Sequence, residues 1–199
     1  MTQIPDTVRP VVAPMDAQDQ YAEWSNQAGH AARELACVSL WPDQALICFQ
    51  VTEGSTRRWV HTGDLEQWKV DAEGLVTVVR ERSRTALGHS PLRTRVPDMD
   101  AWYWVSAEGD GWAAAGLLNP KILAERMGGA PILASAPVVG ALIAWHPGDA
   151  ELDKVMAVGI RKMFEREPSP VTPVVHQWTG DRWVPFGEAV PSSEPDAQP

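Results

Sequence analysis

The stretches His61-Thr62-Gly63-Asp64 and His146-Pro147-Gly148-Asp149 each set an imidazole three residues ahead of a carboxylate. An imidazole oriented by a carboxylate acts as a general base, and with a nucleophile or substrate in hydrogen-bond reach it supports hydrolysis. One reading is therefore a hydrolase that uses His61, His146 and nearby acids. The chain has no Gly-x-Ser-x-Gly elbow, phosphate loop, dinucleotide fingerprint or His-Glu-x-x-His helix to complete such a site. The competing reading is structural. Pro147 and Gly148 turn the chain, and Asp149 accepts hydrogen bonds from the free N–H groups of the helix that follows. His61-Thr62-Gly63-Asp64 serves as a turn in the same way. The structural reading is favoured for both stretches, and no catalytic residue is assigned.

Five histidines at 30, 61, 89, 146 and 176 are too dispersed for a local zinc pattern, and the two cysteines lack Cys-x-x-Cys spacing. No metal and no cofactor is expected. If Pro42 and Asp43 are the central residues of a turn, positions summing to 85 face each other, which sets Cys37 across from Cys48. Opposed Cβ atoms lie about 4.5–5.5 Å apart, wider than the ~3.8 Å of a relaxed disulfide. Two neighbouring, unbonded thiols in a reducing cytoplasm are the expectation.

Ten of the chain's aromatic residues are tryptophans, with two tyrosines and three phenylalanines beside them. Trp fills cores, and it also anchors interfaces and stacks on ligand rings. Trp102 and Trp104 alternate with Tyr103, so on a strand they share one face, and Trp112 joins them if it lies on a return strand. Such a cluster is a candidate binding surface for a glycan or small ligand; core packing is the plainer alternative.

These residues need elements to hold them. Residues 1–20 carry three prolines and no periodicity, and 187–199 are rich in Pro, Ser and acid, so both ends read as disordered tails around a single domain over 21–186. Apolar runs at 34–40 and 44–51 flank Trp41-Pro42-Asp43 as a hairpin, with a third short strand at 57–60. Leu75, Val78, Val79 and Arg82 have helical spacing behind a capping Asp71, giving a helix over about 72–86. The segment 89–100 reads as a loop. Strands are expected at 101–106 and 112–118 around a Glu-Gly-Asp-Gly turn, then a short helix opened by Asn119-Pro120 and closed by Gly128-Gly129. Two further strands precede Asp149 and a helix whose apolar stripe is Leu152, Val155, Met156, Gly159, Ile160 and Met163. A last hairpin spans VTPVVHQW and RWVPF. The sum is an α+β domain, mainly antiparallel, with about three helices packed on the sheet. Two strands, His-x-Gly-Asp and a helix recur at about 44–86 and 131–166, a possible ββα pseudo-repeat.

Composition narrows the function classes. With 44% hydrophobic and 22% charged residues and no long apolar run, the chain reads as a soluble protein with no membrane partner. The N-terminal stretch lacks the features of a secretion signal, so a cytoplasmic location is expected. A net charge of −9 opposes the phosphate attraction that dominates nucleic-acid binding.

Residues 113–186 resemble the YtpQ-like proteins, a family of uncharacterised bacterial proteins, through GLLNPKILAERMGG, PILASAPVVGALIAW, the helix after Asp149 and the hairpin VTPVVHQWTGDRWVPF. The earlier QWKVDAEGLVTVV looks like the piece that precedes that block. One departure is the apolar Pro137-Val138-Val139-Gly140, where a polar loop is expected. The resemblance implies an α+β fold without established activity and carries over no catalytic residue. The function read from the residues is non-catalytic binding of another protein, as an accessory or immunity-like domain whose acidic surface fits a basic partner.

Overall fold

The computed structural model describes residues 3–29, 31, 33–89, 94–95, 101–105 and 112–188. Within these the chain runs β1 (Arg9–Ala13), α1 (Ala17–Gln27), β2 (Cys37–Trp41), β3 (Ala45–Glu53), β4 (Thr56–Trp59), α2 (Thr62–Trp68) and α3 (Ala72–His89). It continues through β5 (Thr94–Arg95), β6 (Ala101–Val105), α4 (Trp112–Leu118), α5 (Pro120–Met127), β7 (Ile132–Ser135), β8 (Ala141–Trp145), α6 (Ala150–Arg166), β9 (Val174–Trp178) and β10 (Trp183–Glu188). The fold is α+β and its sheets are antiparallel throughout.

There are two sheets where one was expected. In the first, β3 is central, with β1 on one side and β2 and β4 on the other. The second has six strands in the order β10-β9-β7-β8-β6-β5. Its inner strands read as unbroken apolar runs because both faces are covered. Leu133, Ile143 and Trp145 pack on Leu152, Met156 and Ile160 of α6. Ile132, Ala134, Leu142 and Ala144 face the main core, shared with Phe49 and Val51 of the first sheet and with helices α2 to α5. Val155 lies outside the α6 stripe and is 43% exposed.

Helix ends follow their capping residues. Asp149 Oδ1 accepts from Glu151 N and Leu152 N at 3.0 and 3.1 Å, and Asp71 Oδ1 accepts from Gly74 N at 2.7 Å. The short helix α5 starts at Pro120 and stops at Gly128, whose φ of 103° is open to glycine but strained for other residues. Asn119 precedes it, but its amide donates elsewhere, to Ala115 O and Ser83 Oγ.

Several expectations are corrected. Residues 9–13 are not tail but strand β1, which pairs with β3 from Arg9↔Gln50 to Ala13↔Leu46; the edge of an apolar strand orders an otherwise unpatterned segment. Gly187 and Glu188 extend β10, while 189–199 lie outside the described residues. Residues 112–118 form helix α4, not a return strand, since the Ala-rich Trp-Ala-Ala-Ala-Gly-Leu-Leu favours helix. Within 89–100, Thr94–Arg95 pair with Trp102 and Tyr103 as β5. The cysteine register is as expected, Cys37↔Cys48, but the two are joined as a disulfide. Their Cα atoms are 4.1 Å apart, close to the short spacing of a non-hydrogen-bonded pair, which brings the Cβ atoms within bridging distance. A hairpin followed by helix does recur at β3-β4-α2 and β7-β8-α6, but β4 lies at the edge of the first sheet whereas β8 lies inside the second.

Candidate functional site

The cleft begins at β4. Its strand ends at Trp59, and Val60 continues by donating to Phe49 O while accepting from Ala36 N. His61 is bridged to Leu35 and then opens α2. The helix places Asp64 one turn in, where its Oδ2 turns back to accept from His61 N at 2.9 Å. The same carboxylate holds the Arg58 guanidinium in a two-pronged contact, Nη1 to Oδ2 at 2.7 Å and Nη2 to Oδ1 at 3.0 Å. Arg58 Nη2 also reaches Glu53 Oε1 at 2.8 Å. Burial raises the Asp64 carboxyl, but the Arg58 and His61 N–H contacts outweigh it and hold its pKa below the usual range. Arg58, hydrogen-bonded to Asp64, is driven further into its charged form.

Helix α1 covers this corner. Ala17 packs on Ala13 and Cys48, with Cys37 and Trp59 alongside, so the disulfide lies beneath the helix. From α1, Tyr21 Oη approaches His61 Nε2 at 2.9 Å. Burial, together with Arg58 and Arg33, lowers the His61 pKa against the opposing pull of Asp64. The lowered pKa favours the neutral ring, whose Nε2 shares a hydrogen bond with Tyr21 Oη. The other nitrogen, Nδ1, is buried with no hydrogen-bond partner among the described residues and lies 3.6 Å from Asp64 Oδ2.

Between α1 and β4 opens a cavity of about 820 Å³, within the range of small-ligand and short-peptide sites. Among the described residues its lining holds three arginines, Arg33, Arg57 and Arg58, and no carboxylate. Rings line it too: Trp24, 60% exposed, lies 5.9 Å from Tyr21 between ring centres, and Tyr21 lies 5.5 Å from His61. Trp59 completes the aromatic wall.

The two histidines of the opening pattern occupy different surroundings. His61 lines the cleft. His146 follows β8, with Nδ1 3.1 Å from Pro131 O and Nε2 2.7 Å from Met127 O, and it ties the end of α5 to the strand that follows. Of the candidate tryptophans, Trp102 and Trp104 stand in register opposite Ala144 and Leu142 of β8, and Trp112 opens α4. The three do not line one hairpin. Sequence reasoning missed Arg33, Arg57, Arg58, Tyr21 and Trp24, whose only signal was the run Arg57-Arg58 beside Trp59 in an acidic chain.

No family model matches the chain, and neither a curated protein nor a solved structure does. Among the described residues no helix is long and apolar enough to cross a membrane.

Proposed function

We propose that the protein acts by binding, and that the cleft between α1 and β4 takes an acidic segment of another protein. The observation that carries this is the charge of the lining: among the described residues it holds Arg33, Arg57 and Arg58 and no carboxylate in a chain of net charge −9, and while Arg58 is held by Asp64 and Glu53, Arg33 adds positive charge beside it. A surface acidic elsewhere repels an acidic partner, so the cleft is where such a partner is drawn in, and Arg beside aromatic rings suits carboxylate groups on a flexible chain. The partner segment is therefore acidic, although the whole-chain charge by itself pointed to a basic one. Trp24 and Trp59 supply the readout. Titrating the full chain with a Glu-rich peptide should quench tryptophan fluorescence and weaken with salt, whereas the matching Gln peptide should leave the signal unchanged. Equal binding of both peptides, or saturation by a small anion such as citrate alone, would remove the protein-segment reading.

An enzyme reading retains one observation, the alignment of Asp64, His61 and Tyr21 at 3.6 and 2.9 Å. Turnover of a panel of ester and phosphoester substrates, abolished in both Tyr21→Phe and His61→Gln, supports it; absence of turnover in the native chain leaves binding alone.

A cytoplasmic location is part of the proposal and sets the Cys37–Cys48 bridge against a reducing pool. Alkylating thiols in intact cells before extraction tests it: labelled cysteines agree with the cytoplasm, and a fully oxidised pair points to an oxidising compartment.

A further inference from the structure

The turn Pro137-Val138-Val139-Gly140 is apolar in a place where turns are usually polar, and the structure gives it a position that its sequence does not explain. It is held against 168–171 by Val139 N donating to Ser169 O at 3.0 Å and Val171 N to Pro137 O at 2.9 Å, with Val138 bridged to Pro170. Val138 is buried, but Val139 is left 41% exposed. Val139 lines the 820 Å³ cavity. It also lines a second cavity of about 390 Å³, whose walls include Val11 and Val12 of β1, Ala113 and Ala114 of α4, and Val138.

The two cavities share Gln50, Arg57, Val139 and Ser169, so both lie against the apolar turn. Their characters differ. The first is walled by arginines and rings. The second is walled mainly by Val, Ala and Pro, with Arg57 at the junction and Glu167 as its other charged residue. Two of the large hydrophobic side chains left exposed in this fold, Trp24 and Val139, both line the first cavity, and Val139 lines the second as well. An exposed valine at the mouth of an apolar recess gains most from an aliphatic neighbour, because burying both removes apolar surface from water without stranding a polar group.

We propose that the second cavity is an apolar subsite of the same cleft, and that the segment bound pairs an acidic residue with an aliphatic residue close by in sequence. This rests on the proposed function above. The acidic residue meets the Arg33 and Arg57 side of the groove, and the aliphatic one enters past Val139.

The test uses the full chain and two labelled peptides, acetyl-Glu-Glu-Leu-Glu-Glu-amide and the same peptide with Ser for Leu, followed by fluorescence anisotropy. The Leu peptide should bind about tenfold more tightly or better, as burial of one aliphatic side chain implies. Val139→Asn should abolish that preference, bringing the two peptides within about twofold of each other, and Val139→Ser should reduce it part-way, each variant being checked for its native circular dichroism. Arg33→Glu should weaken both peptides alike. Equal affinity for Leu and Ser peptides in the native chain overturns the apolar subsite while leaving the acidic-segment reading in place. A preference that survives both Val139 variants also overturns it. Failure of both peptides to bind, or indifference of both to Arg33→Glu, instead overturns the reading on which it rests.

Discussion

The indole of Trp41 and the imidazole of His176 lie stacked, 3.9 Å between ring centres and 10° between planes. Trp41 ends β2 of the first sheet and His176 lies in β9 of the second, so this contact joins the two sheets. Trp183 meets Trp41 edge-on at 5.9 Å and Trp178 at 5.5 Å, which encloses the pair in aromatic surface. Neither Trp41 Nε1 nor His176 Nδ1 has a hydrogen-bond partner among the described residues.

That contact makes stability depend on pH. Burial pushes the His176 pKa down from 6.5 to about 4. Between those values the unfolded chain binds a proton that the folded chain does not, so stability is full above pH 6.5 and declines as pH falls towards 4. The decline amounts to about 3 kcal/mol at 1.36 kcal/mol per unit. Urea titrations at pH 7.5, 5.5 and 4.5 should show the midpoint moving down in that window. His176→Gln should flatten most of the dependence, the remainder belonging to His61, whose pKa is also lowered.

The hairpin bridge is the second target. Cys37 and Cys48 are 11 residues apart in sequence, and opening the loop they close should cost about 2–3 kcal/mol of unfolding free energy on the chain-entropy estimate. Thermal unfolding with and without dithiothreitol measures it. The Cys37→Ala, Cys48→Ala double variant should behave like the reduced chain and be indifferent to dithiothreitol.

Arg58 and Asp64 form the polar anchor of the cleft, and the partly buried carboxylate depends on the two-pronged contact. Arg58→Ala should destabilise by about 1–2 kcal/mol, discounted for the arginine's partial exposure. Arg58→Lys should recover only part, because an ammonium cannot match both oxygens. A double-mutant cycle with Asp64→Ala isolates the coupling.

The two aspartates of the repeated His-x-Gly-Asp pattern should separate under substitution. Asp149→Ala removes one helix cap and should cost about 1 kcal/mol. Asp64→Ala removes the acceptor for His61 N together with the partner of Arg58, and should cost more. Equal losses in chemical denaturation would mean that the Arg58 contact contributes nothing.

Much of the local structure was legible from residue types. Asp71, Asp149 and the Gly128 stop define helix ends because capping is decided within four residues, and the Pro42-Asp43 turn sets Cys37 opposite Cys48 through the two-residue period of strands. Even there, a register shift between Ser39 and Trp41 and the bonding of the two sulfurs depended on geometry the turn alone does not fix. Strand β1 was not legible: Arg9–Ala13 has no pattern of its own, and its order comes from the open edge of β3. Residues 112–118 carry two competing local signals, a hairpin turn before them and a helix-favouring Ala run within them, and the Ala run prevails as α4.

The sequence by itself determined the α+β class, the hairpins β2-β3, β7-β8 and β9-β10, the helices α3, α5 and α6 with the caps Asp71 and Asp149 and the Gly128 stop, and the Cys37–Cys48 register, all of which depend on neighbours a few positions away. Tertiary structure alone decided the split into two sheets, the stacking of Trp41 on His176, and the gathering of Arg33, Arg57, Tyr21, Trp24 and Val139 around one groove. Those residues come from α1, the segment after it, β4 and the β7–β8 turn, and no local spacing links them. Their proximity follows from burial of the apolar faces of two sheets against shared helices, a global constraint that brings distant polar side chains together at its margin.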